Sequence, residues 1–206
     1  MPSYTVVYFP VRGAGDPIRM ILHHAGVAYQ DQHVDMASWE TMKPTTVFGH
    51  LPMLKVDNQQ FAETVPIVRY LGEKFGLNGD NLEQKMCIDS IVDAFKDVYQ
   101  SIMKPCYTMK VDERKQYFEK QKAEFAKTCS FVEKHLGKCN GNFVAGSKIT
   151  WADFVLLGYW NVFVHFMGKQ VFDSVPNMKK HYEAISSQPT MKAFMEKTKN
   201  VPTYPF

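Results

Sequence analysis

Three stretches in the first third of the chain combine residue types that could do chemistry with signals of a strand end or a helix start. Tyr8 lies near the end of the strand-like run Tyr4–Phe9 and is followed by Pro10, Arg12, Gly13 and Gly15. A tyrosine there reads as a strand residue filling a core, or as a hydroxyl aimed at something beyond the strand. Glu63-Thr64 precedes the helical run Val65–Phe75. Thr64 is expected to be the N-cap, which would leave first-turn backbone N–H groups able to hold an anion. Such a cap is also an ordinary structural device. Between these two stretches, Leu51-Pro52 opens a strand after a loop holding Trp39, Lys43 and His50. A proline at a strand start donates nothing to the ladder, and its bond to the preceding residue is trans by default and cis in a minority of cases.

Other familiar chemistries lack their residues. There is no G-x-S-x-G, H-E-x-x-H, Walker loop or G-x-G-x-x-G. The histidines at 23, 24, 33, 50, 135, 165 and 181 show no metal-ligand spacing, so no metal site is expected. The cysteines at 87, 106, 129 and 139 form no C-x-x-C pair and suit neither zinc nor a disulfide framework. Each reads as a small buried hydrophobe in a chain that keeps its thiols reduced.

The elements that must position these residues follow from periodicity. Asp16-Pro17 reads as a helix start with Asp16 as the cap, and Ile18, Ile21 and Leu22 supply its apolar face before Gly26 stops it. Val27–Val34 reads as a second strand. Leu51–Val56 and Gln60–Ala62 flank the turn pair Asp57-Asn58. The order strand-helix-strand, then hairpin and helix, predicts a mixed sheet with helices against it.

The turn-rich stretch Gly76–Asn81 separates this region from one that is helical throughout. Ile88 through Met103 recurs at helical spacing. A second helix carries Phe118, Phe125, Cys129, Val132 and Leu136 and ends at Gly137. A third begins at Trp151, with Thr150 and Asp153 resembling a capping box, and shorter helices follow Pro176 and Pro189. The expected domains are 1–78, α/β, and 82–206, all-α.

Composition bounds the function. The chain has 206 residues, 45% hydrophobic and 22% charged, with a formal net charge of +3. That charge is too small and scattered to argue for nucleic acid. No apolar run approaches the ~18 residues of a membrane span, and the N-terminus carries no signal-type pattern, so a cytoplasmic protein is expected.

The motifs YF-x-x-RG, W-x-x-x-KP, FG-x-LP, VD-x-x-Q-x-A, I-x-RYL-x-x-KFGL, DSIVDAF-x-D and ITWADF, in this order and spacing, resemble a cytosolic glutathione transferase of the sigma class over nearly the whole chain. The resemblance implies a thioredoxin-like N-terminal domain, a helical-bundle C-terminal domain and a homodimer. It implies glutathione as co-substrate, with no permanently bound cofactor. Tyr8 matches the family's catalytic tyrosine, whose hydroxyl donates to the glutathione sulfur and favours its thiolate. Trp39 and Lys43 match donors to the glycine carboxylate. Leu51 would pair by its backbone with the cysteinyl unit, and Pro52 matches a cis-proline. Glu63 and Thr64 stand at the γ-glutamyl site. Asp97 matches an acidic residue that reaches the γ-glutamyl amine across the dimer.

Three positions depart from the family pattern. His50 replaces a usual Gln and as a neutral imidazole still donates one hydrogen bond. Glu63 also replaces Gln, favouring the substrate's ammonium but opposing its carboxylate. Ala14 stands where some members carry an arginine near the sulfur, and Arg12 is expected to tether the loop. The electrophile is expected between the domains, against Phe9, Tyr99, Met103, Cys106, Tyr107, Val155, Tyr159 and Phe206, apolar or aromatic side chains that could equally be core. The expected activity is conjugation of glutathione to hydrophobic electrophiles. A carrier of hydrophobic ligands and a glutathione-dependent prostaglandin D isomerase are the alternatives, and a large planar ligand such as haem is left open. A thiol-redox enzyme on the same fold is excluded, because no cysteine precedes Cys87.

Overall fold

The computed structural model describes residues 2–203, with the side chains of Cys106 and Tyr107 outside that description. It divides into two compact units, one of residues 2–77 and 189–203, the other of residues 78–188.

The first unit begins with β1 (Tyr4–Tyr8), α1 (Asp16–His24), β2 (Gln30–His33) and α2 (Met36–Met42). A hairpin of β3 (Met53–Val56) and β4 (Gln59–Ala62) follows, then α3 (Thr64–Lys74). The sheet order is β2-β1-β3-β4. β1 pairs parallel with β2, putting Tyr8 opposite His33, and antiparallel with β3, putting Val7 opposite Met53. The central strands bury Val6, Val7 and Leu54 completely: α3 packs on β3 and β4, while Val7 faces the other side of the sheet with Val34, Met53 and Ala62. The hairpin turns at Asp57, which takes a positive φ of 51° as an Asp-Asn turn pair allows.

Four local expectations shift. The cap of α1 is Gly15, and Asp16 is the first helical residue, its carboxylate drawn to Arg12 and Arg19 instead of to the helix N–H groups. The cap of α3 is Glu63, and Thr64 opens the helix with its hydroxyl turned to the carbonyl of Ala14. The second strand is only Gln30–His33, because Val27 still bonds back to Leu22 at the end of α1. The expected loop before His50 contains a helix, α2, held by an Asp35 carboxylate that accepts from the Ser38 N–H at 2.7 Å.

The second unit holds α4 (Leu82–Met103), α5 (Val111–Thr128), α6 (Ser130–Leu136), α7 (Trp151–Met167) and α8 (Pro176–Ser186). α7 is apolar nearly all round and lies in the core, where Trp160 packs 4.3 Å from the Phe95 ring of α4. The expected second helix is two. Cys129 breaks it with ψ near 5°, a single residue's departure that leaves the apolar periodicity intact on both sides.

The expected capping box at Thr150 forms, and Asp153 does more than cap. One carboxylate oxygen accepts from the Thr150 N–H and hydroxyl at 2.6 and 2.7 Å. The other accepts from the Val144 N–H and faces His181 Nε2, each at 2.8 Å. Trp160 donates its indole N–H to His181 Nδ1 at 3.1 Å. That indole has only a proton to give, so Nδ1 is the acceptor and Nε2 carries the proton bonded to Asp153. Every polar atom of this buried chain is thereby satisfied.

The last helix, α9 (Pro189–Lys197), belongs to the first unit, where the sequence grouped it with the second. His24 bonds Thr190 at 2.9 Å, His23 packs 5.8 Å from the Phe194 ring, and the Arg12 N–H donates to the Pro202 carbonyl at 2.7 Å. These partners are more than 160 residues apart, which is why periodicity alone assigns them to no unit.

Candidate active site

The first unit builds a site around the end of β1. Tyr8 is 5% exposed, fixed by strand pairing on both sides of β1. Its Oη accepts the backbone N–H of Ala14 at 3.2 Å. Accepting this bond uses a lone pair of the phenol oxygen and not its proton. The carbonyl of the same Ala14 accepts the Thr64 hydroxyl at 3.0 Å. One residue of the β1–α1 loop thus ties the Tyr8 hydroxyl to the N-terminus of α3, through backbone atoms that need no particular side chain at 14.

On the other side, Tyr8, Phe9 and Trp39 follow one another as rings, with centroids 5.7 and 6.0 Å apart. Trp39, Met42 and Leu51 pack on a small core of Val7, Val34, Met53 and Ala62. The half-buried Trp39 and Leu51 therefore rest on the same strands that hold Tyr8. The Leu51-Pro52 peptide is cis, and Pro52 is buried. Lys43 and His50 are exposed. Thr46 stitches the loop between them, donating its hydroxyl to the Lys43 carbonyl at 2.8 Å and accepting the Gly49 N–H at 3.0 Å.

The first turn of α3 carries the N–H donors of Thr64 and Val65, since Pro66 has none. Glu63, exposed, precedes them at φ 71° and ψ 123°, a sparsely populated conformation for a residue with a side chain. The arrangement presents a buried hydroxyl held by a backbone donor, a helix start with first-turn N–H groups, and an apolar shelf of Trp39 and Leu51, with Lys43 exposed just after α2. It suits a small, extended, negatively charged ligand whose reactive atom needs a donor.

Family comparisons agree with that geometry. The model of the glutathione S-transferase N-terminal domain matches residues 16–79, and that of its C-terminal domain residues 96–198. Glutathione S-transferase 1 of Ascaris suum is 33% identical, covering 98% of this chain and all of that one.

The chain belongs to the glutathione S-transferase family.

Among solved structures, that of the glutathione S-transferase of Ascaris lumbricoides aligns over the whole of both chains, with a TM-score of 0.85 at 31% identity. The prostaglandin synthase D of Nilaparvata lugens aligns over 95% of this chain and 98% of that one, with a TM-score of 0.81 at 28% identity. The family assignment makes this chain an enzyme, a transferase that works with glutathione.

Of the remaining expected site residues of this transferase, Asp97, Tyr99, Met103, Val155 and Tyr159 lie in the helical unit. Asp97 is exposed on α4. Tyr99 stacks on Tyr159 with centroids 4.3 Å apart and planes 22° from parallel, and both are half-buried. Met103 and Val155 have no exposed surface and pack as core. The side chains of Cys106 and Tyr107, and all of Phe206, lie outside the described residues. Among the described residues no group of three His, Cys, Asp or Glu side chains is placed to hold a metal ion, and no helix is long and apolar enough to cross a membrane.

Of the three described cysteines only Cys129 is fully buried, and burial with the nearby Glu133 pushes its thiol up to about 12. Cys87 and Cys139 are half-buried, and burial raises both thiols above their ordinary value. A raised thiol is a poor nucleophile at neutral pH.

Sequence reasoning missed Arg19 and its carboxylates. Arg12 donates Nε to Asp16 at 3.0 Å, and Arg19 meets the other Asp16 oxygen at 3.3 Å. Burial pushes the Asp16 carboxyl above its ordinary value, against the pull of both guanidiniums. The available signal is an arginine within the otherwise apolar run Pro17–Leu22 of α1.

Proposed function

We propose that this transferase joins the glutathione thiolate to hydrophobic electrophiles, with the Tyr8 hydroxyl stabilising the thiolate. The carrying observation is the Ala14 N–H on Tyr8 Oη, which uses a lone pair of the phenol oxygen and fixes that oxygen at the end of β1. A free thiol with a pKa near ~8.5 is only a few per cent thiolate at pH 7. Lowering that value by about two units makes the thiolate the major form and takes about 2.7 kcal/mol. One hydrogen bond to a charged group contributes about 1.5–3 kcal/mol, so a single well-aimed hydroxyl suffices. The thiol proton leaves to solvent, a sulfur–carbon bond forms, and the leaving group departs with its electron pair. Tyr8 keeps its own proton throughout.

In this reading Trp39 and Lys43 hold the glycine carboxylate, with His50 beside them. The Leu51 backbone, ahead of Pro52, pairs with the cysteinyl unit. Thr64 and the start of α3 hold the γ-glutamyl carboxylate, with Glu63 nearer the amine, and Asp97 of a second subunit completes that end. The electrophile lies on aromatic surface, for which Phe9 and the stacked Tyr99 and Tyr159 are the best-supported members of the expected set; Cys106, Tyr107 and Phe206 remain part of it. The order of motifs supports a cytoplasmic, sigma-class homodimer.

The test is turnover of a chlorodinitrobenzene-type electrophile by wild type and Tyr8→Phe. A loss of at least about tenfold, or ~1.4 kcal/mol, is expected. Undiminished turnover in the variant refutes the role of Tyr8. No wild-type turnover with glutathione still bound replaces the enzyme reading with a ligand carrier. The likeness to the prostaglandin synthase D of Nilaparvata lugens favours a second reading, isomerisation of prostaglandin H to prostaglandin D, for which the assay is product formation from that endoperoxide.

A further inference from the structure

Arg19 is 4% exposed, and its guanidinium is fully engaged. Nη1 donates to the Val11 carbonyl at 3.1 Å and to Asp16 at 3.3 Å. Nη2 donates to the Phe9 carbonyl at 3.4 Å and to Asp31 at 3.0 Å, and Nε donates to the same Asp31 oxygen at 3.1 Å. The guanidinium carbon lies 5.5 Å from the centroid of the Tyr8 ring. One side chain thus grips both carbonyls that flank Pro10 immediately after Tyr8, the first turn of α1 and the edge strand β2, and it packs against the Tyr8 ring.

We infer that Arg19 is the positioning residue of Tyr8: it fixes the chain leaving β1 and the ring above it, and so holds the phenol proton in line with the glutathione sulfur. This rests on the role proposed above for Tyr8. The effect is geometric more than electrostatic. Arg12 and Arg19 face Asp16 and Asp31, so the formal charge of the cluster is zero, and His33, 3.3 Å from Asp31, and Tyr29 border it. A planar fork with five donors can hold two carbonyls and two carboxylates at fixed angles. A lysine has one ammonium and cannot span those four groups, although it keeps the charge and most of the stem. Arg12 fills no comparable place, since its guanidinium is drawn to Asp16 and its backbone N–H to Pro202.

The experiment compares wild type, Arg19→Lys, Tyr8→Phe and the double variant, reading kcat, KM for glutathione and the pH at which the bound thiol ionises, followed by ultraviolet absorbance of the thiolate. Arg19→Lys is expected to lower kcat about tenfold or more, as misaimed catalytic groups do. It should raise the ionisation pH of the bound thiol toward that of free thiol and change KM by less than about threefold, because the hydrogen bonds of Arg19 go to Phe9, Val11, Asp16 and Asp31, none of them a proposed contact of the glutathione carboxylates. In the Tyr8→Phe background the same change should cost almost nothing further. Additive losses in the double variant overturn the inference, as does an Arg19→Lys enzyme with unchanged thiol ionisation. Tyr8→Phe with wild-type turnover removes the Tyr8 reading itself, and the separate single variant tells that failure apart. Should Arg19→Lys fail to fold, Asp31→Asn takes its place in the same cycle. It removes one partly exposed anchor of the fork, and a smaller loss in the same direction, absent in the Tyr8→Phe background, is then required.

Discussion

Gly15→Ala isolates the placement of the Tyr8 ring. Gly15 has φ −79° and ψ −21°, ordinary right-handed values that alanine adopts without strain. Its backbone therefore does not require glycine, but the space above it does. A Cβ at Gly15 would stand 2.7 Å from Cδ1, 2.8 Å from Cγ and 3.1 Å from Cβ of Tyr8. Carbon atoms rest about 3.5–4.0 Å apart, so the root of the ring has to retreat by about 1 Å. It cannot swing aside, because Cβ and Cγ lie next to a strand backbone paired with Met53's strand and with His33's. Overpacking of this kind costs about 1–3 kcal/mol. Replacing glycine at a compatible site returns about 0.4–1 kcal/mol through the unfolded chain. The net loss is about 1 kcal/mol, or roughly 2–4 °C in melting temperature for a protein of this size. Activity should suffer far more, since a 1 Å misplacement of a catalytic group costs about a hundredfold. Calorimetry and glutathione conjugation on the same preparation measure both. An alanine variant with wild-type turnover and an unchanged melting temperature refutes the ring's fixed place. A melting loss with full turnover refutes the dependence of catalysis on it.

Three other outcomes follow from single contacts. Burial and the neighbouring His23 hold His24 below its ordinary value of 6.5, so the unfolded chain binds that proton more readily than the folded one. Its destabilising effect is absent above pH 6.5 and grows as pH falls from there toward the depressed folded value; His24→Gln should show a shallower fall of melting temperature over that window, and a parallel profile counts against the reading. Asp153→Ala strips four partners of a carboxylate with no exposed surface, leaving buried donors unpaired at Thr150, Val144 and His181, and should cost about 3–5 kcal/mol in denaturant unfolding. Thr64→Val removes the hydroxyl's bond to the Ala14 carbonyl, which ties the β1–α1 loop to the start of α3; KM for glutathione should rise roughly tenfold, or ~1.4 kcal/mol, and an unchanged KM would show that the helix N–H groups act without that tie.

The parts of the fold legible in the sequence are those set by local chemistry. β1, the Asp57 hairpin, the Thr150 box and the helix starts at Pro176 and Pro189 each follow from residues within a few positions of one another. α2 was not legible because it buries no residue and so leaves no apolar period; only the Asp35 cap marks it. The break at Cys129 was hidden for the converse reason, a period that continues through it. The grouping of α9 depends on His23 and His24 meeting Phe194 and Thr190, which no local pattern encodes. In the site, Tyr8 and Thr64 stood out by their places at a strand end and a helix start. Arg19 did not, because its value lies in reaching the backbone of Phe9 and Val11 and a carboxylate on another strand, twelve residues on.

The same contacts explain how the chain can carry alanine at position 14. An arginine side chain there would add a cation near the sulfur, but position 14 also supplies an N–H to Tyr8 Oη and a carbonyl to Thr64 through its backbone. Those two bonds survive any side chain that keeps the loop's path. The path is set elsewhere: by Arg12 holding Asp16, by the Arg12 N–H on the Pro202 carbonyl, and by Arg19 on the carbonyls of Phe9 and Val11. Arg12 keeps its Nε on Asp16, a buried carboxylate that would otherwise have only Arg19 as its ionic partner, while its Nη2 is buried without a hydrogen-bond partner among the described residues. In the proposed mechanism, stabilisation of the thiolate falls first on the Tyr8 hydroxyl, whose aim is set by backbone geometry. Since one charge-assisted hydrogen bond matches the roughly 2.7 kcal/mol required, that division of labour is sufficient without an arginine at the sulfur.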